Sequence, residues 1–126
     1  MVIEDLRTAL VSTPEMKAFD TEITLHALSA LGVLHQMGVI DTIPSSDIFQ
    51  TLEWEDIYPI RVSDNSNLQA MIKTYVIMKT KIFFDPPTGK AAEFIDAGLK
   101  EQEWRLREEY DVYIQPSVID KEVYDE

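Results

Sequence analysis

Apolar residues recur at helical spacing along most of the chain. That pattern predicts a mainly α fold, a small helical bundle of about four to five helices. Val2, Ile3, Leu6, Leu10 and Val11 predict a first helix. Ser12-Thr13-Pro14 would close it, because the residue before a proline avoids helical backbone. Ile23, Ala27, Ala30, Leu31 and Leu34 form the stripe of a second helix. Leu25, Leu28 and Met37 widen that stripe, which predicts burial on more than one side. Asp20 or Thr21 is its expected cap and Gly38 its left-handed stop. The small residues Ala27, Ser29, Ala30 and Gly32 would admit a second helix closely.

Pro44-Ser45-Ser46-Asp47 reads as a turn and cap before a short helix through Ile48, Phe49 and Leu52. The periodicity then breaks over residues 53–62, which read as a loop with extended character. Asp64-Asn65-Ser66-Asn67 offers capping side chains for a long helix carrying Leu68, Met71, Ile72, Tyr75, Val76, Ile82 and Phe83. Residues 75–84 are rich in β-branched and aromatic side chains, so a strand competes there. The period near 3.6 over four turns favours the helix. Asp85-Pro86-Pro87 ends it. Thr88 can cap a last long helix with Ala91, Phe94, Ile95, Leu99, Gln102 and Leu106 on its inner side. Gly98 lies where another helix could approach.

Composition changes this picture in one respect, charge. The 126 residues hold 11 Lys and Arg against 23 Asp and Glu, a net charge of −12, with no cysteine. The apolar fraction of 45% is too high for a disordered acidic chain. The charge argues against a chain that grips nucleic acid by neutralising phosphates. Lack of cysteine removes disulfides, thiolate metal sites and a thiol nucleophile. Neither a secretion signal nor an apolar run long enough for a membrane span is visible.

The charge is unevenly placed: −7 over residues 1–62, +1 over 63–107 and −6 over 108–126. The last segment also contains Tyr110, Val112, Tyr113, Ile114, Val118 and Ile119, residues that favour extended structure. An acidic, strand-prone end is expected to be a docking arm. The chain therefore divides into a helical domain, 1–109, and an extended C-terminal arm, 110–126.

No catalytic, cofactor or metal motif emerges. His26 and His35 are nine residues apart on one helix, about 13.5 Å along its axis, too far to share an ion. Glu53, Glu55 and Asp56 lack the ligand spacing of a calcium loop. Pro86-Pro87-Thr88-Gly89-Lys90 lacks the first glycine and the hydroxyl residue of a phosphate loop. Tyr75, Phe83, Phe84 and Phe94 read as packing aromatics. Trp104 falls off the inner stripe, on the side of Ala97, Glu101 and Glu108, which suggests contact with another subunit. Glu101 and Arg105 form an i,i+4 pair on a solvent face or between subunits.

The segment from Tyr58 to Glu109 resembles the small head–tail connector proteins of tailed bacteriophages, also called adaptor or head-completion proteins. The residues that carry the resemblance are Tyr58-Pro59-Ile60, the capped start Ser63–Leu68, the run Ile72–Pro87 ending in Phe84-Asp85-Pro86-Pro87, and Lys100-Glu101-Gln102-Glu103-Trp104-Arg105-Leu106. The resemblance implies a non-enzymatic virion protein, made in the host cytoplasm, without cofactors. It implies a homo-oligomeric ring, usually of twelve copies, below the portal. Such a ring extends the DNA channel, touches DNA passively, and docks the stopper or tail-completion protein. The C-terminal arm would contact the portal through Tyr110, Val112, Tyr113, Ile114, Val118 and Ile119, and Trp104, Glu101 and Arg105 would lie between subunits. The alternative reading, from charge alone, is an acidic inhibitor or DNA mimic that binds a DNA-binding protein.

Overall fold

The segment with competing helix and strand signals, Ser66–Phe84, is one continuous helix in the computed structural model of the chain. Residues 1–11 and 15–114 are described, with backbone alone at Arg61 and over 111–114. Five α-helices occur among them: α1 Val2–Val11, α2 Asp20–Gln36, α3 Trp54–Ile57, α4 Ser66–Phe84 and α5 Gly89–Ile114. Two 3-10 turns, Ser46–Thr51 and Ile60–Val62, complete the set. Among the described residues there is no strand, and no helix is long and apolar enough to cross a membrane.

Helix α4 is the centre of the bundle. Leu68, Ile72, Tyr75, Val76 and Thr80 follow the 3.6 period and are buried together. α1, α2 and α5 all pack on α4, while α2 and α5 make little contact with each other. The β-branched content of α4 is thus outweighed by burial at helical spacing, as tertiary packing routinely outweighs propensity. The Asn65 side chain starts the helix by accepting from the Leu68 N–H at 3.0 Å. Lys79 and Tyr75 on α4 both face Glu103 of α5. Pro87 and Ile95 line one groove with Ile82, so α4 and α5 run antiparallel around the Asp85-Pro86-Pro87 corner.

Helix α2 stops as expected. Gly38 has φ of 80°, its N–H reaches the His35 carbonyl, and the Val39 N–H reaches the Leu34 carbonyl, both at 3.0 Å. That is the paired closure a left-handed glycine permits. The start of α2 differs from expectation. Phe19 is the capping residue and makes no side-chain cap. Asp20 instead takes a two-pronged ion pair from Arg7 of α1, Nε to Oδ1 at 2.8 Å and a terminal nitrogen to Oδ2 at 2.6 Å. Gln50 accepts from the same guanidinium at 3.1 Å. This contact ties α1, α2 and the first 3-10 turn together.

Residues 53–62 are also corrected. They form two short helical turns rather than an extended loop. Glu53 and Asp56 close a reciprocal capping box around α3, with the Glu53 N–H donating to Asp56 at 3.0 Å. Tyr58, before Pro59, is the extended residue that stops it. Trp54 is buried and its indole N–H donates to Asp5 at 2.7 Å. Lys73 of α4 pairs with the same carboxylate at 3.2 Å and lies over the indole ring. Burial pushes the Asp5 carboxyl up, but the Trp54 and Lys73 contacts outweigh it and hold it below the ordinary range. Burial and the nearby Glu55 and Asp5 push the Tyr58 hydroxyl up to about 12.

Expected packing fails at four apolar or small positions. Leu25 is exposed rather than buried. Ile48 is exposed beside buried Phe49 and Leu52. A Cβ at Gly32 or Gly98 would meet nothing within 4 Å, so neither glycine admits a helix of this chain. Ala27 and Ala30, both buried, are the small residues of α2 that pack in the core.

The Arg7–Asp20 pair makes a pH-dependent contribution. The hydrogen bonds from Arg7 hold the Asp20 carboxyl below its ordinary value against the opposing effect of burial. A depressed carboxyl stabilises the fold above its unfolded pKa of about 3.9 and loses that contribution as pH falls through the folded value. Asp20→Asn should cost about 3 kcal/mol at neutral pH, since it removes the two-pronged carboxylate from a buried guanidinium. Urea denaturation as a function of pH should also show a flatter loss of stability below about pH 4 than in the parent chain.

Candidate functional site

Helix α5 is a two-faced element, and its inner face fixes where the outer one points. Leu99, Leu106 and Tyr110 are buried in the core, flanked by half-buried Ile95 and Gln102. The buried Tyr75 hydroxyl donates to Glu103 at 2.8 Å, and Lys79 lies 3.8 Å from the same carboxylate. Burial, then Glu103, pushes the Tyr75 hydroxyl strongly up. A helix turns by about 100° per residue at 3.6 residues per turn. Holding Glu103 inward therefore turns Trp104 outward.

Trp104 is 62% exposed, in agreement with its place off the inner stripe. It borders an open groove of about 640 Å³, lined by Arg105 and Glu108 from α5 and by Asn67 and Met71 from α4. Arg105 clamps Glu101 with two nitrogens, at 2.9 and 3.2 Å, on the exposed face. An exposed i,i+4 pair of this kind contributes only a few tenths of a kcal/mol. The groove holds no convergent acid, base and nucleophile. It presents one large exposed aromatic with a charged rim.

On α5 the periodicity misplaced Phe94. It is 78% exposed rather than on the inner side, because Ile95, one position on, occupies the seam against α4. Tyr110 is misplaced in the opposite sense. It is 7% exposed within the core and belongs to α5, which continues to Ile114. The extended arm assigned from 110 onward is therefore helical over 110–114. The side chains of Val112, Tyr113 and Ile114, and all of Val118 and Ile119, lie outside the described residues. The Tyr75–Glu103 contact was not singled out by the periodicity. A buried tyrosine announces that its hydroxyl needs a partner, but no local spacing names one 28 residues away.

The remaining candidates have local roles. Glu53 and Asp56 cap α3. His26 packs on Phe83 with ring centroids 5.9 Å apart, and His35 is exposed on the last turn of α2. Phe19 meets Phe84 edge-on at 5.5 Å, closing the end of the bundle where α2 begins and α4 ends.

A family model described as phage connector protein matches residues 2–113. The chain belongs to the phage connector protein family. The match reaches back through the first 57 residues, which carried no recognisable resemblance, and takes in all five helices nearly to the end of α5. No curated protein and no solved structure is significantly similar to the chain. Membership gives this connector a structural role in the phage particle.

The two faces of α5 should separate in mutagenesis. Trp104→Ala should change the unfolding free energy of the dilute monomer by less than about 0.5 kcal/mol, as an exposed site does. Leu106→Ala should cost about 2–5 kcal/mol through lost burial and a cavity. Chemical denaturation at submicromolar concentration reads both.

Proposed function

We propose that this connector is the adaptor of the head–tail junction: copies assemble as a ring, usually of twelve, on the portal. The ring continues the DNA channel and receives the stopper or tail-completion protein. The family match over residues 2–113 carries this reading. Two features of the fold support it. First, α2 and α5 both pack on α4 without packing on each other, so each keeps an outward face. A subunit with two unlike free faces suits the head-to-tail contacts that close rings. Second, Trp104 stands exposed beside the Glu101–Arg105 pair, an aromatic anchor with a charged rim for the neighbouring subunit.

The net charge of −12 suits a conduit. A basic wall would bind the duplex by counterion release and slow its passage, whereas an acidic one touches DNA passively. The acidic C-terminal residues are the portal-binding element in this reading, now starting after α5. Val118 and Ile119 are the apolar contacts within it, with backbone pairing to the portal supplying affinity.

Removing residues 115–126 spares every described helix. The truncated chain should keep its far-ultraviolet circular dichroism and lose co-sedimentation with portal. Undiminished portal binding would rule out the C-terminal segment as the docking element. Negative-stain images of the full-length chain mixed with portal should show a ring on one end of the portal, and their absence would count against the adaptor assignment.

A further inference from the structure

The outer face of α5 has a pattern of its own. Lys90, Phe94, Ala97, Glu101, Trp104 and Glu108 recur at alternating spacings of four and three, and all six are exposed. That is the spacing of a coiled-coil seam, on the side of the helix opposite the one that packs on α4. The seam is self-complementary when two copies run antiparallel. Centred near residue 99, Phe94 of each copy meets Trp104 of the other, Lys90 meets Glu108, and Ala97 meets Glu101. On the flank, Glu93 meets Arg107 with opposite signs, and at its middle the two Lys100 side chains approach, each paired with Asp96 of its own chain at 3.3 Å.

We propose that the free chain pairs with a second copy through an antiparallel α5–α5 contact. Charge complementarity selects this occupant. Both ends of the seam place a lysine against a glutamate, and a parallel pairing would instead set Lys90 on Lys90 and Glu108 on Glu108. Shape agrees with charge. Phe94 of the second copy enters the 640 Å³ groove beside Trp104, and the symmetric contact fills the other groove. Ala97 and Gly98 leave the centre slim, with no atom of the chain within 4 Å of a Cβ at Gly98. Glu101 is neutralised by Arg105 of its own chain, at 2.9 Å, so it does not bring an unpaired charge to the centre. The contact from Lys90 to Glu108 is about 27 Å long at 1.5 Å per residue.

Such a contact is isologous, the same patch on both partners. It cannot be the repeating contact of a ring whose subunits all point one way. Given the adaptor reading, the pair is therefore a form of the free subunit, which covers Trp104 until a neighbour on the portal takes its place.

The full-length chain, alone and at micromolar concentration, tests this by sedimentation equilibrium. The expected species has twice the 14.5 kDa chain mass. Lys90→Glu and Glu108→Lys should each weaken the dimer by on the order of tenfold, since every copy then faces a like charge. The double variant K90E/E108K should restore it, because each contact reappears with its signs exchanged. Trp104→Ala should give the monomer mass. A monomeric parent chain, single charge reversals without effect, or a double variant no better than the singles would overturn the proposal. Portal is absent from this experiment, so the two readings fail separately. A monomeric free chain that still forms a ring on portal defeats the pairing alone, and a dimer that forms no ring defeats the adaptor assignment alone.

Discussion

The rotation of α5 about its own axis governs what this connector presents to other molecules. One polar contact and three apolar ones set it. Leu99, Leu106 and Tyr110 bury one side of the helix, and Tyr75 holds Glu103 on that same side. A slip of one residue would turn every side chain by about 100° and take both faces out of register with α4. The hydrogen bond adds what apolar burial lacks, a direction. A hydroxyl donating to a carboxylate is among the stronger hydrogen bonds, and breaking it would leave a buried tyrosine oxygen without a partner. The position of Trp104 in solvent follows from this inward lock.

α4 transmits the same logic to the rest of the bundle. Its buried face meets α1, α2 and α5, so the first half of the chain and the last helix are aligned through it. The Arg7–Asp20 and Asp5–Trp54–Lys73 contacts then fix how α1 sits on that frame. Each joins segments far apart in sequence. Their polar groups are partly buried and mutually satisfied, the condition under which such networks stabilise rather than cost.

Much of this was legible in the sequence, and the misses share a cause. Gly38, the Asp85-Pro86-Pro87 corner, the Asn65 cap and the long period of α4 are local signals, decided by a few adjacent residues. The structure keeps all of them. The expectations that failed depended on which partner a residue finds. Asp20 has the chemistry of a cap and also of an ion-pair partner, and Arg7 decides between them. Residues 53–62 read as extended because a four-residue helix is too short to show a period, although Glu53 and Asp56 hold the spacing of a capping box. Phe94 points out because adjacent residues on a helix differ by about 100° and Ile95 takes the inward place. Tyr110 read as part of an extended arm on its β propensity, whereas α5 continues through it and buries it. Of the candidate surface, Trp104 was readable as an off-stripe aromatic, whereas the groove beside it needed the start of α4 brought alongside the end of α5.

The charge distribution gains a physical meaning from these contacts. The stretch 63–107 is nearly neutral because its bases and acids nearly balance, and several of those bases are held in pairs: Lys79 with Glu103, Lys100 with Asp96, Arg105 with Glu101, and Lys73 with Asp5 of α1. Paired charges contribute little long-range field, so the acidic excess of the chain acts from the first half and from the residues after 107. The exposed seam of α5 carries Lys90 at one end and Glu108 at the other. Unlike charges at the two ends of a seam, with exposed aromatics between them, distinguish parallel from antiparallel neighbours. On such a face, electrostatics sets the orientation of a bound helix, and the aromatics supply the area that holds it there.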